Sequence, residues 1–319
     1  MTQPDFSRGE LPAAKGRRDC LKALLALGAT GFAWPAAAAV AGSASHAQPR
    51  VVSLSWAGAQ ILVSLGVTPL ALTERADYPR AGALPAMPAS VLELGSHSEP
   101  NLELLQQLKP ELIVIDVNQL GLEARLSTIA PTIAVDIYNA RLGKPYALAV
   151  ATTLRIAQRL GRKQAAQAYL LSVEDELAAR ARTVSTLGAA PPVLIADLYD
   201  DGRHLYLYGP NSMMQDVMDR LGVRNAWQGS TGSGYLLLGI EGLAPMGDAR
   251  MFYISHGARD KIALHNLSRS GLWQNLPFVH AQRFRPLPGF FAYGATACAV
   301  QFANELTAGL VALDRQAGA

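Results

Sequence analysis

Five histidines follow residue 47: His97, His204, His256, His265 and His280. None is spaced from another histidine or from a carboxylate as a zinc ligand set is, with two ligands a few residues apart and a second pair further on. Nucleophile chemistry is equally thin. No Gly-x-Ser-x-Gly elbow and no Gly-x-x-x-x-Gly-Lys phosphate loop occurs. The run Gly229-Ser230-Thr231-Gly232-Ser233-Gly234 is rich in glycine, but it does not stand between a strand and a helix as a dinucleotide loop does, and a flexible loop is expected there. Cys298 sits in Ala297-Cys298-Ala299-Val300, the setting of a small buried hydrophobe. No catalytic residue, metal ligand or resident cofactor is therefore expected. With the chemistry of turnover missing, the expectation is binding.

The start of the chain looks detachable. Arg17-Arg18-Asp19-Cys20-Leu21-Lys22 precedes an alanine-rich apolar run from Ala23 to Ala41, and Ser45-His46-Ala47 offers a cleavage site. An arginine pair, an apolar run and a small-x-small site form the layout of an export signal, here residues 1–47. Gly16 to Lys22 resembles the twin-arginine form, which implies the periplasm. Cys20 departs from that motif, so the Sec route stays open, as does a retained membrane anchor. Removing Met1–Ala47 takes five basic and three acidic residues, and the formal charge falls from +3 to +1. A nearly neutral domain gives no support for nucleic-acid binding. Only Cys298 then remains, so no intrachain disulfide can form.

The elements fall into two α/β halves around a long helix. Arg162 to Leu187 has no internal Gly or Pro and carries a stripe at Tyr169, Val173, Leu177 and Val184, with Glu176 and Arg180 spaced i,i+4 on the polar side. Such a helix would run for roughly 39 Å. It is either an ordinary surface helix or a rigid spine. The first half, 48–145, alternates strands (Arg50–Ser55, Val67–Leu72, Leu112–Ile115, Thr132–Val135) with helices (Ala57–Leu65, Asn101–Leu108, Leu120–Ile129). Residues 146–187 form connecting helices. The second half, 188–319, has strands at Pro192–Leu198, Leu205–Tyr208 and Arg250–Ile254, a helix over Asn211–Arg220 and a short one at Ile240–Leu243. Leu65-Gly66-Val67 is echoed by Leu221-Gly222-Val223, and Leu102–Leu105 followed by a strand is echoed by Ile240–Leu243 followed by a strand. Two related Rossmann-like lobes joined by one long helix enclose a cleft, a preferred ligand site.

Several stretches resemble the solute-binding proteins of ABC importers for iron-siderophores and cobalamin, the class with a helical spine. Glu99-Pro100-Asn101-Leu102-Glu103-Leu104-Leu105 with Leu108-Lys109-Pro110-Glu111-Leu112-Ile113-Val114 is such a signature. Tyr208–Ser212, Asn225–Gly229, Leu272-Trp273, Leu276–Val279 and Tyr293–Thr296 are similar to the ferric hydroxamate branch, and the similarity runs from Arg50 to about Gly309. The resemblance implies a monomeric periplasmic receptor that captures a ferric siderophore, of the hydroxamate type by its nearest branch, and delivers it to an inner-membrane ABC permease. The iron would enter only inside its chelator.

The same resemblance implies site residues. Glu103 and Glu241 stand where family members dock on the two permease subunits; the alternative is that each acid merely favours a helix N-terminus. Hydroxamate binders carry an arginine two residues before the Glu-Pro-Asn run, where this chain has His97, and a tyrosine after the next strand, where it has Gln119 or a neighbour. His97 is either a polar ligand contact or a buried structural histidine. Arg75 or Arg80, in a loop with Tyr78, either compensates for the missing charge or is a surface arginine. Trp56, Tyr206, Tyr235, Phe291 and Tyr293 are the aromatic wall by position. Other cargoes remain open: a catecholate or citrate chelate, cobalamin, or haem with His97 or Tyr78 as axial ligand. An exported enzyme acting on a chelate is a further alternative, for which no residue set is found.

Overall fold

A computed structural model describes residues 48–188 and 191–317. The expected export signal, residues 1–47, lies outside the described residues.

The first lobe begins with β1 (Val51–Ser53), buried throughout. Ser55 caps α1 (Trp56–Ser64), its hydroxyl accepting from the Gly58 N–H at 3.2 Å. Gly66, at φ 72, releases the chain from that helix. The expected strand Val67–Leu72 contracts to β2 (Ala71–Leu72), because Pro69 has no N–H for a ladder. The exposed β3 (Leu92–Glu93) was announced by no apolar run. Asn101 then caps α2 (Leu102–Leu108), accepting from Leu104 N–H at 2.9 Å. After β4 (Leu112–Asp116), the helix expected over 120–129 is instead a 3₁₀ segment, Val117–Leu122, running into α3 (Glu123–Leu126). A capping box between Asp116 and Gln119 starts this tighter turn. β5 (Thr132–Val135) completes an all-parallel sheet in the order β3-β2-β1-β4-β5. Its strands therefore all end along one edge, where α/β sheets place ligands.

Two helices leave this lobe, α4 (Pro145–Arg159), with proline in its first turn, and α5 (Lys163–Ser185). Within α5, Val173, Leu177 and Val184 are buried, Tyr169 is half-buried, and Arg180 pairs with Glu176 at 2.6 Å. The second lobe follows with β6 (Val193–Leu198) and its antiparallel neighbour β7 (His204–Tyr208). Ser212 caps α6 (Met213–Leu221), and Gly222 at φ 69 ends it.

The glycine run is pinned. Asn211 Nδ2 donates to the Thr231 carbonyl at 3.0 Å, and Gly209 N–H to the Gly234 carbonyl at 3.1 Å. Gly234 has φ 87, and a Cβ there would lie 2.7 Å from the Asn211 carbonyl oxygen, so glycine is required. The run feeds β8 (Tyr235–Gly239), a strand the sequence patterning had not suggested, and a 3₁₀ segment at Ile240–Met246. Next come β9 (Arg250–Ile254), α7 (Asp260–Ser268), α8 (Gly271–Gln274), α9 (Pro277–His280), β10 (Phe284–Leu287) and α10 (Thr296–Ala317). The second sheet is mixed, in the order β10-β9-β6-β7-β8.

The spine does not act alone. α10 packs along α5, against α4, α6 and β10, and reaches α1 of the first lobe. Its buried face runs through Cys298, Phe302, Leu306, Leu310 and Leu313. Cys298 is the small hydrophobe expected, and burial pushes its thiol pKa up to about 12. The segment just before α10 is stapled to the first lobe. Gln60 of α1 accepts from Ala295 N–H at 2.8 Å, and Tyr138 Oη donates towards the Gly294 and Ala292 carbonyls at 2.6 and 3.1 Å.

Candidate ligand cleft

The ends of β1, β2, β3 and β4 each deliver residues to one cavity. Ser55 and Trp56 follow β1, Thr73 and Glu74 follow β2, His97 follows β3, and Asp116 with Asn118 and Gln119 ends β4. The cavity is about 200 Å³, and Phe291 reaches it from the stapled segment before α10. Trp56 forms its aromatic wall. The indole Nε1–H is spent on the Thr73 carbonyl at 2.9 Å, and the ring meets Phe291 edge-on at 5.1 Å between centroids. This leaves an apolar ring surface for a ligand, with its polar atom already satisfied.

A second aromatic group rises from the other lobe. Tyr206 and Tyr208 are two residues apart on β7 and so share one face of the strand. Tyr235 of β8 stands opposite Tyr208 and meets Tyr206 edge-on at 5.5 Å. Tyr293 continues the row, 6.2 Å from Tyr235, and touches Tyr138 of the first-lobe side at 5.1 Å. Phe291 and Tyr293, two residues apart, thus link the two groups. Burial raises the Tyr293 phenol above its ordinary value, with the neighbouring Tyr235 and Asp197 adding to the rise, so it stays a neutral donor.

Residues 51–289 match a family described as periplasmic binding protein. The iron(3+)-hydroxamate-binding protein FhuD of Escherichia coli K12 is 33% identical over 259 residues, covering 81% of this chain and 85% of its own length. The chain belongs to the periplasmic binding protein family. This binding protein is also 24% identical over 238 residues to the Fe(3+) dicitrate-binding periplasmic protein FecB of the same organism, covering 73% of this chain and 75% of FecB. Among solved structures, the Fe3+-Desferal-bound siderophore-binding protein FhuD from Vibrio cholerae superposes with a TM-score of 0.73 at 26% identity, covering 83% of this chain and 99% of its own. These relatives are binding proteins, not enzymes.

Within this binding protein the expected contacts separate into groups. Trp56, His97 and Phe291 line the cavity, and Tyr206, Tyr235 and Tyr293 form the second group. Three expectations are corrected. Tyr78 is fully buried beneath Trp56, 5.6 Å from its ring centre, with its hydroxyl on the Pro85 carbonyl at 3.1 Å; it supports the wall and is out of a ligand's reach, as an axial haem ligand included. Arg80 is a solvent-exposed partner of Asp77 at 2.7 Å, outside the cavity. Gln119 borders the cavity but is 3% exposed, and its amide is consumed by the backbone: Nε2 donates to the Leu54 and His97 carbonyls at 3.3 and 2.7 Å, and Oε1 accepts from Asp116 N–H at 2.8 Å. It positions the His97 loop. His97 itself is exposed, with Nδ1 2.8 Å from Glu74 Oε1, which removes the buried-histidine alternative. Arg75 lines a different cavity, beside Pro79 and Met87.

Glu74, Asp116, Asp197 and His256 were missed. Glu74 and His97 are 23 residues apart, Asp197 and His256 59 apart, and no local spacing signals either pair. Asp197 accepts from Tyr208 Oη at 2.6 Å and meets His256 Nε2 at 2.7 Å. The hydrogen bond to Asp197 raises the His256 imidazole above its ordinary value, outweighing burial, which lowers it. With a folded value above the unfolded 6.5, the pair's stabilisation is complete below 6.5 and is lost as pH rises through the folded value. The melting-temperature gap between wild type and His256→Ala should accordingly be widest in mild acid and narrow in alkali; a gap independent of pH would exclude the charged pair.

Glu103 lies in the first turn of α2, after edge strand β3; Glu241 opens the 3₁₀ segment after edge strand β8. Both are exposed.

Proposed function

We propose that this chain is an exported receptor that captures a ferric hydroxamate siderophore in the cleft and hands it to an inner-membrane ABC importer, docking through Glu103 and Glu241. One observation carries the cargo class: two linked aromatic groups, Trp56 and Phe291 lining the first-lobe cavity and Tyr235 with Tyr293 in the second-lobe row, which suit a bulky, partly apolar chelate offering oxygen acceptors to phenol donors. Among the described residues no three His, Cys, Asp or Glu side chains gather as a metal site; the iron is proposed to arrive inside its chelator. Docking is supported by the matching placement of the two acids, each in the first turn of the helical segment that follows the edge strand of its own sheet. Export would be directed by residues 1–47, with the twin-arginine route favoured by Arg17-Arg18. The receptor is proposed to act as a monomer.

The test is a tryptophan-fluorescence titration of the processed protein with a ferric trihydroxamate, a ferric tricatecholate, ferric citrate, cobalamin and haem, each with an inner-filter control. Trp56 borders the cavity, whereas Trp273 is buried in the second-lobe core. Saturable quenching by sub-micromolar trihydroxamate, largely lost in Trp56→Phe, is the expected result. No response to hydroxamate with tight binding of another chelate would reassign the cargo.

A further inference from the structure

Every permanently charged side chain lining the first-lobe cavity is a carboxylate: Glu74 and Asp116. Among the described residues no lysine or arginine lines it. The two arginines nearest in sequence to Glu74 are engaged elsewhere, Arg75 on the Pro88 carbonyl at 3.3 Å and Arg80 on Asp77. Across the cleft, the acid of the tyrosine group is Asp197.

Glu74 is built to keep its charge. Burial pushes its carboxyl pKa up, but hydrogen bonds and charge from His97 outweigh that, and the group titrates below its ordinary value. Oε1 alone does this anchoring. It accepts from the His97 backbone N–H at 3.3 Å, from Ser96 Oγ at 3.4 Å, and faces His97 Nδ1 at 2.8 Å. Oε2 has no hydrogen-bond partner among the described residues, although Glu74 borders the cavity beside the Trp56 ring. One oxygen is thus held and the other left over, on a residue that lines the same cavity as Trp56, and aromatic faces favour cations.

The chelate classes differ in charge. Three hydroxamate anions cancel the charge of Fe(III), three catecholates leave three negative charges, and some trihydroxamates carry a pendant ammonium as their only net charge. Resting on the hydroxamate reading above, we infer that Glu74 sets the charge selectivity of the cleft: its free Oε2 accepts from a pendant ammonium on a ferric trihydroxamate, and its charge turns polyanionic chelates away. Discrimination of this kind uses repulsion of the wrong ligand as much as attraction of the right one.

The experiment measures, by competition on the processed protein, a ferric trihydroxamate bearing a primary amine, the same chelate N-acetylated at that amine, and a ferric tricatecholate. The wild type should prefer the amine over its acetylated form by about tenfold, the preference should shrink with added salt, and the tricatecholate should rank last. In Glu74→Gln the ratio between amine and acetylated ligand should fall to about one, whatever the variant's overall affinity. Equal affinity for the two hydroxamates in the wild type, or a ratio unchanged in Glu74→Gln, overturns the role of Glu74 and leaves the hydroxamate reading standing. Binding of neither hydroxamate overturns both. The wild-type ratio stands by itself should the variant not fold.

Discussion

Uptake supported by a Glu103→Ala/Glu241→Ala double variant should collapse to background while its affinity for the ferric chelate stays unchanged. Both carboxylates are exposed, both open the helical segment that follows an edge strand, and neither lines the aromatic cavity. Two acids on separate lobes of one rigid body can meet basic groups on two related membrane subunits and fix the receptor's orientation as well as its affinity. Losing about 1.5 kcal/mol at each contact would weaken docking roughly hundredfold. The single variants should each show an intermediate loss. The measurement is uptake of radiolabelled iron chelate into cells relying on the variant receptor, alongside solution affinity. Normal uptake by the double variant would return both residues to the simpler role of acids placed near a helix N-terminus.

Gln119→Ala should lower the melting temperature by roughly 3–6 °C. Its side chain holds three backbone groups, the carbonyls of Leu54 and His97 and the N–H of Asp116. Truncation leaves these poorly partnered at the end of β4, a cost of about 2–3 kcal/mol after partial rescue by solvent. The His97 loop loses its tether, so chelate affinity should fall as well. Gln119→Glu keeps the acceptor to Asp116 but turns a buried carboxylate oxygen towards the Leu54 and His97 carbonyls, and should destabilise at least as much as Gln119→Ala. A variant with an unchanged melting temperature and a large affinity loss would instead make Gln119 a direct contact.

Much of the architecture was legible because its central strands are buried on both faces. Val51-Val52, Leu112–Ile115 and Val193–Ala196 are continuous apolar runs for that reason, and α5 carried its stripe in plain view. The edges were harder. β3 is two exposed residues, and β8 hides behind a glycine run held in order by Asn211, a residue outside the run. The site divided along a similar line. Aromatic positions such as Trp56, Phe291 and Tyr293 could be placed by likeness to relatives. Whether a polar residue faces the ligand or the backbone depends on partners far along the chain. Gln119 is therefore turned inward by Leu54, and Glu74 is brought to the cavity's edge by a loop 23 residues away.

α10 lies along α5, and the segment ahead of it is fastened to α1 by Gln60 and to the first-lobe side by Tyr138. Two struts and a staple leave little room for a clamshell motion. On the proposed function, a filled and an empty receptor would then present nearly the same outline to the membrane. An importer could not reject an unladen receptor by its silhouette, so unladen copies would compete for the same berth, and flux would depend on the fraction of receptors carrying cargo as well as on their number.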